Sequence, residues 1–237
     1  MAVRWHHRLF TLALGAWLLL MGGCASQQTM PWGDGAAAPA GQAVVLMSVT
    51  LRNAYKDRYQ PELSAVLVQR EDVTPQPAPL VFPTDARAAL PAPAAAAASA
   101  PAGGTWLVRL ALEPGRYTLR SLAALGRAFP AIGHFSVPLH APLQVAAGGG
   151  VHYLGAIDAT VRERVGDEFR AGPVIPLLDQ ALAGASGGTF DVVISDRYDR
   201  DLALFRQTFA ALGSQPVSRA MLPPFDRARA QAWWQAH

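Results

Sequence analysis

The chain has 237 residues, with 20 Lys and Arg against 17 Asp and Glu, a formal charge of +3 at neutral pH. Two of those cations, Arg4 and Arg8, fall in the first eight residues; beyond residue 23 the charge is +1, and no basic cluster argues for a nucleic-acid partner. A single cysteine, Cys24, excludes a disulfide framework within the chain.

The first element is a basic start followed by an apolar run. Met1 to Arg8 has two arginines and no acid, and Leu9 to Met21 carries no formal charge. That pattern, ending in small residues, reads as a secretory signal over residues 1–23. The run of 13 residues is short of the roughly 20 that a membrane-spanning helix needs. The stretch Leu20-Met21-Gly22-Gly23-Cys24 resembles the lipobox of bacterial lipoproteins, with small residues before the cysteine and Met21 where the family usually has leucine. The resemblance implies that Cys24 is acylated and becomes the first residue of the mature chain, anchoring it in a membrane. Ala25, rather than aspartate, implies the outer membrane, with the domain facing the periplasm. Lipidation also accounts for an odd cysteine in an oxidising compartment.

Cys24 and residues 25–42, rich in Ala, Gln, Gly and Pro, read as a lipidated cysteine and a flexible tether. A coil of that length spans roughly 25 Å root-mean-square. Strand-like sequence then begins. Ala43 to Arg52 alternates, with Val45, Met47, Val49 and Leu51 on one face and Ser48, Thr50 and Arg52 on the other, which predicts a half-buried strand. Ser64 to Arg70 is a second strand. Residues 71–104, with Pro75, Pro77, Pro79, Pro83, Pro91, Pro93, Pro101 and an alanine run at 94–98, read as a long exposed loop.

Thr105 to Leu112 is the next strand, with Trp106, Val108, Leu110 and Leu112 facing one way. Glu113-Pro114-Gly115-Arg116 predicts a type II turn into Tyr117 to Leu122. Ile132 to Leu139 and Leu143 to Val145 follow, then Gly148-Gly149-Gly150 turns the chain into Val151 to Arg162, where Val151, Tyr153, Ile157, Ala159 and Val161 share a predicted face. Pro176 to Ala183 fits one or two helical turns, and Thr189 to Ser195 a last strand. Short strands separated by turn signals argue a mainly β domain over 43–195, an antiparallel β-sandwich.

Residues 196–237 form a C-terminal helical appendage in this reading. Ser195 or Asp196 can cap a helix running to Leu212, whose Leu202, Phe205, Phe209 and Leu212 make one apolar face to pack on the sandwich. A second helical segment, Phe225 to Ala236, carries Trp233 and Trp234. Adjacent residues on a helix point about 100° apart, so one indole is expected in the core and the other exposed. This pair is the candidate contact for a protein partner.

Leu-Glu-Pro-Gly-Arg-Tyr-Thr-Leu at 112–119 and Gly-Gly-Val-His-Tyr-Leu-Gly at 149–155 resemble bacterial lipoproteins with a transthyretin-like or carboxypeptidase-regulatory-like sandwich. The resemblance implies a Pro-Gly-x-Tyr turn before a core strand and a glycine–aromatic strand closing the sheet. It constrains activity little, because one fold serves many functions.

Candidate chemistry is sparse. Gly184-Ala185-Ser186-Gly187-Gly188 fits the Gly-x-Ser-x-Gly pattern, but a nucleophile elbow needs a strand before and a helix after, and the order here is reversed. His134, His140 and His152 would make a zinc or copper site only if neighbouring strands brought them together, and they lack the tight local spacing of metal ligands. Asp158, Glu163, Asp167 and Glu168 alternate with Arg162, Arg164 and Arg170, a charged surface rather than an acid–base pair. Asp196, Asp199 and Asp201 lack the glycine and terminal glutamate of a calcium loop. The sequence therefore predicts no catalytic residue, no metal and no cofactor. Its leading reading is a non-enzymatic envelope protein that binds or scaffolds a partner. The alternative is a metal-dependent or hydrolytic envelope enzyme.

Overall fold

The computed structural model describes residues 41–85, 89–90, 103–128, 131–173 and 181–237. The predicted signal, Cys24 and the part of the predicted tether before Gly41 lie outside the described residues, as do 86–88 and 91–102 of the proline-rich stretch and most of the helix predicted over 176–183.

Two sheets are stacked on each other. The front sheet runs β3 (Leu80–Pro83), β2 (Pro61–Arg70), β6 (Gly115–Ala128), β7 (Ala131–Val145). The back sheet runs β4 (Ala89–Leu90), β5 (Gly104–Leu112), β1 (Ala43–Asn53), β8 (Gly150–Glu163), and the far side of β8 is shared by β9 (Gly188–Ser195) and β10 (Val217–Arg219). Two helices follow the sandwich, α1 (Tyr198–Thr208), extended by a 3-10 turn at Ala210–Leu212, and α2 (Arg227–Ala236). The fold is the mainly β sandwich that the alternation predicts. Its ladders are antiparallel except at β1–β8 and β10–β8, which are parallel. Parallel neighbours need a crossover; β1 reaches β8 only after the chain has built the front sheet.

The inward faces meet in one apolar core, Val45, Met47, Val49 and Leu51 of β1 and Val108 and Leu110 of β5 against Val66, Val68, Leu119, Leu122, Phe135 and Val137. The other face of β1 is not half exposed as its polar residues suggest, since Ser48 is 1% and Thr50 5% exposed. A second core lies there, where Val44, Leu46, Leu107, Val151 and Tyr153 pack under Leu202, Phe205, Phe209 and Leu212. The apolar face predicted for the C-terminal helix is the one that makes this contact.

Strand β8 serves both cores, so the single face expected from Val151 to Val161 is split. Its register on β1 shifts between Leu46↔Tyr153 and Met47↔Gly155. Gly155 takes φ 120°, and such a bulge turns the following side chains over. Val151 and Tyr153 thus join the outer core, whereas Ile157, Ala159 and Val161 join the inner one.

Strands β6 and β7 are longer than their apolar patterns. Residues 123–128, poor in β-branched residues, pair with 131–136. The two segments predicted at 132–139 and 143–145 are one strand, in which the ladder steps from Ser121↔Pro138 to Leu119↔Ala141 and His140 sits at φ 47°. Strand β7 is at the edge of its sheet, where prolines such as Pro138 and Pro142 are tolerated. The 71–104 stretch is not wholly loop, because β3 pairs with β2 and β4 with β5. Gly115 lies at φ 158° rather than near the +80° of a type II turn. A Cβ at Gly115 would still fall 2.7 Å from Asp72 Oδ2, which accepts the Arg116 N–H at 3.1 Å. The Tyr117 hydroxyl donates to the Glu113 carbonyl at 3.0 Å and locks the same turn.

On the side of β7 the sandwich is closed by the segment after β8. The Ser136 N–H donates to the Ala171 carbonyl at 2.8 Å and the Ala171 N–H to the Gly188 carbonyl at 2.7 Å, so one residue bridges β7 and β9. Phe169 and Ala171 are fully buried there.

Candidate functional site

Helix α2 sits against this closed edge, and its sequence sets how it turns. Asp226 caps it by accepting the Arg229 N–H at 2.9 Å. Arg227, Ala230, Gln231 and Trp234, at helical spacing, face inward. Ala230 is fully buried, and Trp234 packs on the rim of the main core. Gln231 accepts the Phe169 N–H at 2.6 Å and donates to the Asp167 carbonyl at 2.7 Å. Arg227 reaches Glu168 at 2.7 Å. Arg229 donates to the carbonyl of His140 at 3.2 Å.

With that face turned inward, Trp233 lies one step round the helix, over the bulge of β7. Its ring is 4.8 Å from His140 and 4.6 Å from His237, centroid to centroid, with the Arg120 guanidinium 5.8 Å away. Arg164 lies 5.6 Å over Trp234. Both indoles are half-buried, so the expectation of one core and one exposed indole is not met. The α2 helix lies on an edge rather than in a core, and both directions border the same groove. That groove, of about 350 Å³, is walled by Pro138 and Ser136 on β7, by Arg170, Gly172 and Pro173, and by Trp233, Trp234 and His237.

His140 is 9% exposed and its Nε2 has no hydrogen-bond partner among the described residues. Burial, and then the nearby Arg120, Arg229 and His237, lower its pKa to about 4, so it is neutral at pH 7. The cations around the groove are less provided for. Arg170 donates to the Ser186 carbonyl, Arg164 to the Glu168 carbonyl and Arg229 to that of His140. Among the described residues, none of these three, nor Arg120, forms an ion pair with a carboxylate. Glu168 is occupied by Arg162 and Arg227, which hold its pKa down at about 2.

Two other cavities among the described residues lack this surplus. A hollow of about 300 Å³ lined by Phe82, Leu112 and Tyr117 has Arg70 at its mouth, bound to Asp72 and Glu113. A larger one of about 560 Å³ is bordered by Glu62 and Asp85, which face Arg127 and Arg109.

The remaining sequence candidates stay apart. His134 and His140 belong to β7 of the front sheet, whereas His152 is on β8 of the back sheet and bonds Ser218 at 2.7 Å. Among the described residues no three His, Cys, Asp or Glu side chains are grouped to hold a metal. Ser186 lies in the turn before β9. Asp158 pairs with Arg197, Asp196 with Arg219, and Asp201, on α1, is buried. Trp233 and Trp234 are the predicted residues that the fold brings together. Arg120 escaped the sequence reading, which took His140 only as a metal-ligand candidate and Arg170 only as part of a charged surface. The available signal was Pro138 and Pro142, which mark β7 as an edge strand, and an edge invites a cover. Compared with protein-family models, with curated proteins and with solved structures, the chain matches none.

Proposed function

We propose that this protein is a non-catalytic lipoprotein of the bacterial outer membrane, anchored through Cys24, that binds or scaffolds another envelope component through Trp233 and Trp234. The observation that carries the reading is the groove beside α2. Two half-buried indoles border it, together with guanidinium groups that no carboxylate among the described residues neutralises. Aromatic and arginine side chains are the residues that dominate protein contacts. The lipobox-like run and the tether after it supply the anchored part of the proposal. Kinship with transthyretin-like lipoproteins belongs to it too, supported by the Tyr117–Glu113 lock at the Pro-Gly-x-Tyr turn.

The test is photo-crosslinking in bacterial cells, with benzoylphenylalanine placed at the exposed Ala236 of α2, which leaves both indoles in place, and, as a reference, at the exposed Gln144. A discrete partner captured from 236, not from 144, and reduced in a Cys24→Ser background is the expected result. Capture of nothing from 236, or of the same proteins from both positions, overturns the proposal.

A further inference from the structure

The charge around the α2 groove bears on what occupies it. Arg120, Arg164 and Arg170 come from two places in the fold (β6 and the segment after β8), yet they gather around two adjacent indoles. A guanidinium that is half removed from water and bonded only to carbonyls or rings keeps unused donors, and carboxylates are their best-matched partners. The groove is concave and walled by Pro138 and Pro173. A bilayer surface would instead call for indoles that protrude.

We infer that the α2 groove takes an acidic segment of a partner polypeptide, seating an apolar ring against Trp233, Trp234 and the two prolines and placing carboxylates on Arg170 and Arg120. Proline is the fitting ring, since an extended proline-containing segment loses little entropy on docking in an aromatic groove. Trp233 orients the site. His140 and His237 lie at its ring and hold it over the bulge. The inference rests on the proposed binding role and adds the chemistry of the partner.

The experiment uses the full-length chain in neutral detergent and fluorescence anisotropy of a labelled glutamate–proline repeat peptide, with a lysine–proline repeat as the opposite probe. The acidic peptide should bind at least about tenfold more tightly than the basic one and weaken as salt is raised. Trp233→Ala and Arg120→Glu should each weaken it by about tenfold or more. Arg120→Glu should also gain affinity for the lysine–proline peptide. The Arg120 side chain makes no hydrogen bond among the described residues, so this variant should keep the fold, whereas Arg170→Glu loses the Ser186 contact. Equal binding of the two peptides, or acidic binding untouched by both variants, overturns the inference. Trp233-dependent binding to phosphatidylglycerol vesicles without peptide binding also overturns it, in favour of a membrane surface. If crosslinking from position 236 still captures a partner, the binding role survives and only its acidic chemistry fails.

Discussion

The two C-terminal helices dock on the same sandwich by different means. α1 covers the back sheet with Leu202, Phe205, Phe209 and Leu212, and Phe205 is fully buried. Its one buried charge, Asp201, is answered on every side. Ser48 donates to it at 2.5 Å, Tyr153 at 2.7 Å and Arg200 at 2.6 Å. α2 buries only Ala230 completely and holds on through Gln231, Arg227, Arg229 and stacked rings. A helix fixed by area is part of the core. A helix fixed by a few directional contacts leaves side chains over for another molecule. This difference is why α2, and not α1, is the candidate contact surface.

The comparison is broken most directly at α1. Phe205→Ala should cost about 3–5 kcal/mol, as for other large-to-small changes in a core, read as a lower urea midpoint at unchanged slope. A cost below about 1 kcal/mol would mean that α1 is not held by burial. Asp201→Ala comes next, at about 2–4 kcal/mol, because it leaves the Ser48 and Tyr153 hydroxyls buried without their acceptor. Adding Tyr153→Phe to that variant should recover part of the loss, since one stranded hydroxyl is removed. Full additivity of the two changes in a double-mutant cycle would contradict the hydrogen bond.

How much of this was legible differs between the helices for a physical reason. α1 announces itself, because Leu202, Phe205, Phe209 and Leu212 repeat at helical steps and Asp196 takes the Tyr198 N–H at the start. The sandwich was legible for the same cause, alternation over β1 and β5. The split of β8 was not, since one bulge at Gly155 exchanges two faces and alternation carries no sign of it beyond the glycine itself. Nor was the length of β6 and β7, where Ala123 to Ala128 are held by pairing with a partner strand rather than by their own propensity. The groove was half legible. Trp233 and Trp234 stand out, but Arg120, His140 and Arg170 arrive from distant positions and have no local pattern.

At the α2 interface the effects become smaller and conditional. In the fold His140 has a pKa of about 4 against an ordinary 6.5. Between those values the unfolded chain takes up a proton that the native chain refuses, so stability is complete above pH 6.5 and falls as pH drops towards 4. The loss should be about 1–3 kcal/mol. His140→Asn, which tolerates the positive φ, should remove this part of the decline in urea midpoints measured from pH 7 to 4. A variant that follows the same curve would show that the imidazole does not carry it. Glu168 works in a lower window. Its pKa is depressed from 4.5 to about 2, so its contribution holds above pH 4.5 and disappears only as pH falls towards 2. The two groups are therefore separable by titration alone.

Trp233→Ala is the sharpest test of the contrast, because its expected effect on stability is the smallest. The indole is half-buried and touches rings and guanidinium groups rather than the core. Its removal should cost about 1 kcal/mol, the worth of an aromatic pair and partial burial. Trp234→Ala, whose ring packs on the core, should cost more. If Trp233→Ala instead costs as much as Phe205→Ala, α2 is a second core helix and the two modes of docking collapse into one. If the stability loss is small while capture of the partner disappears, the energy of Trp233 is expressed in binding rather than in folding. That division is what a helix held by directional contacts predicts, whereas Phe205 of α1, fully buried, expresses its energy in folding.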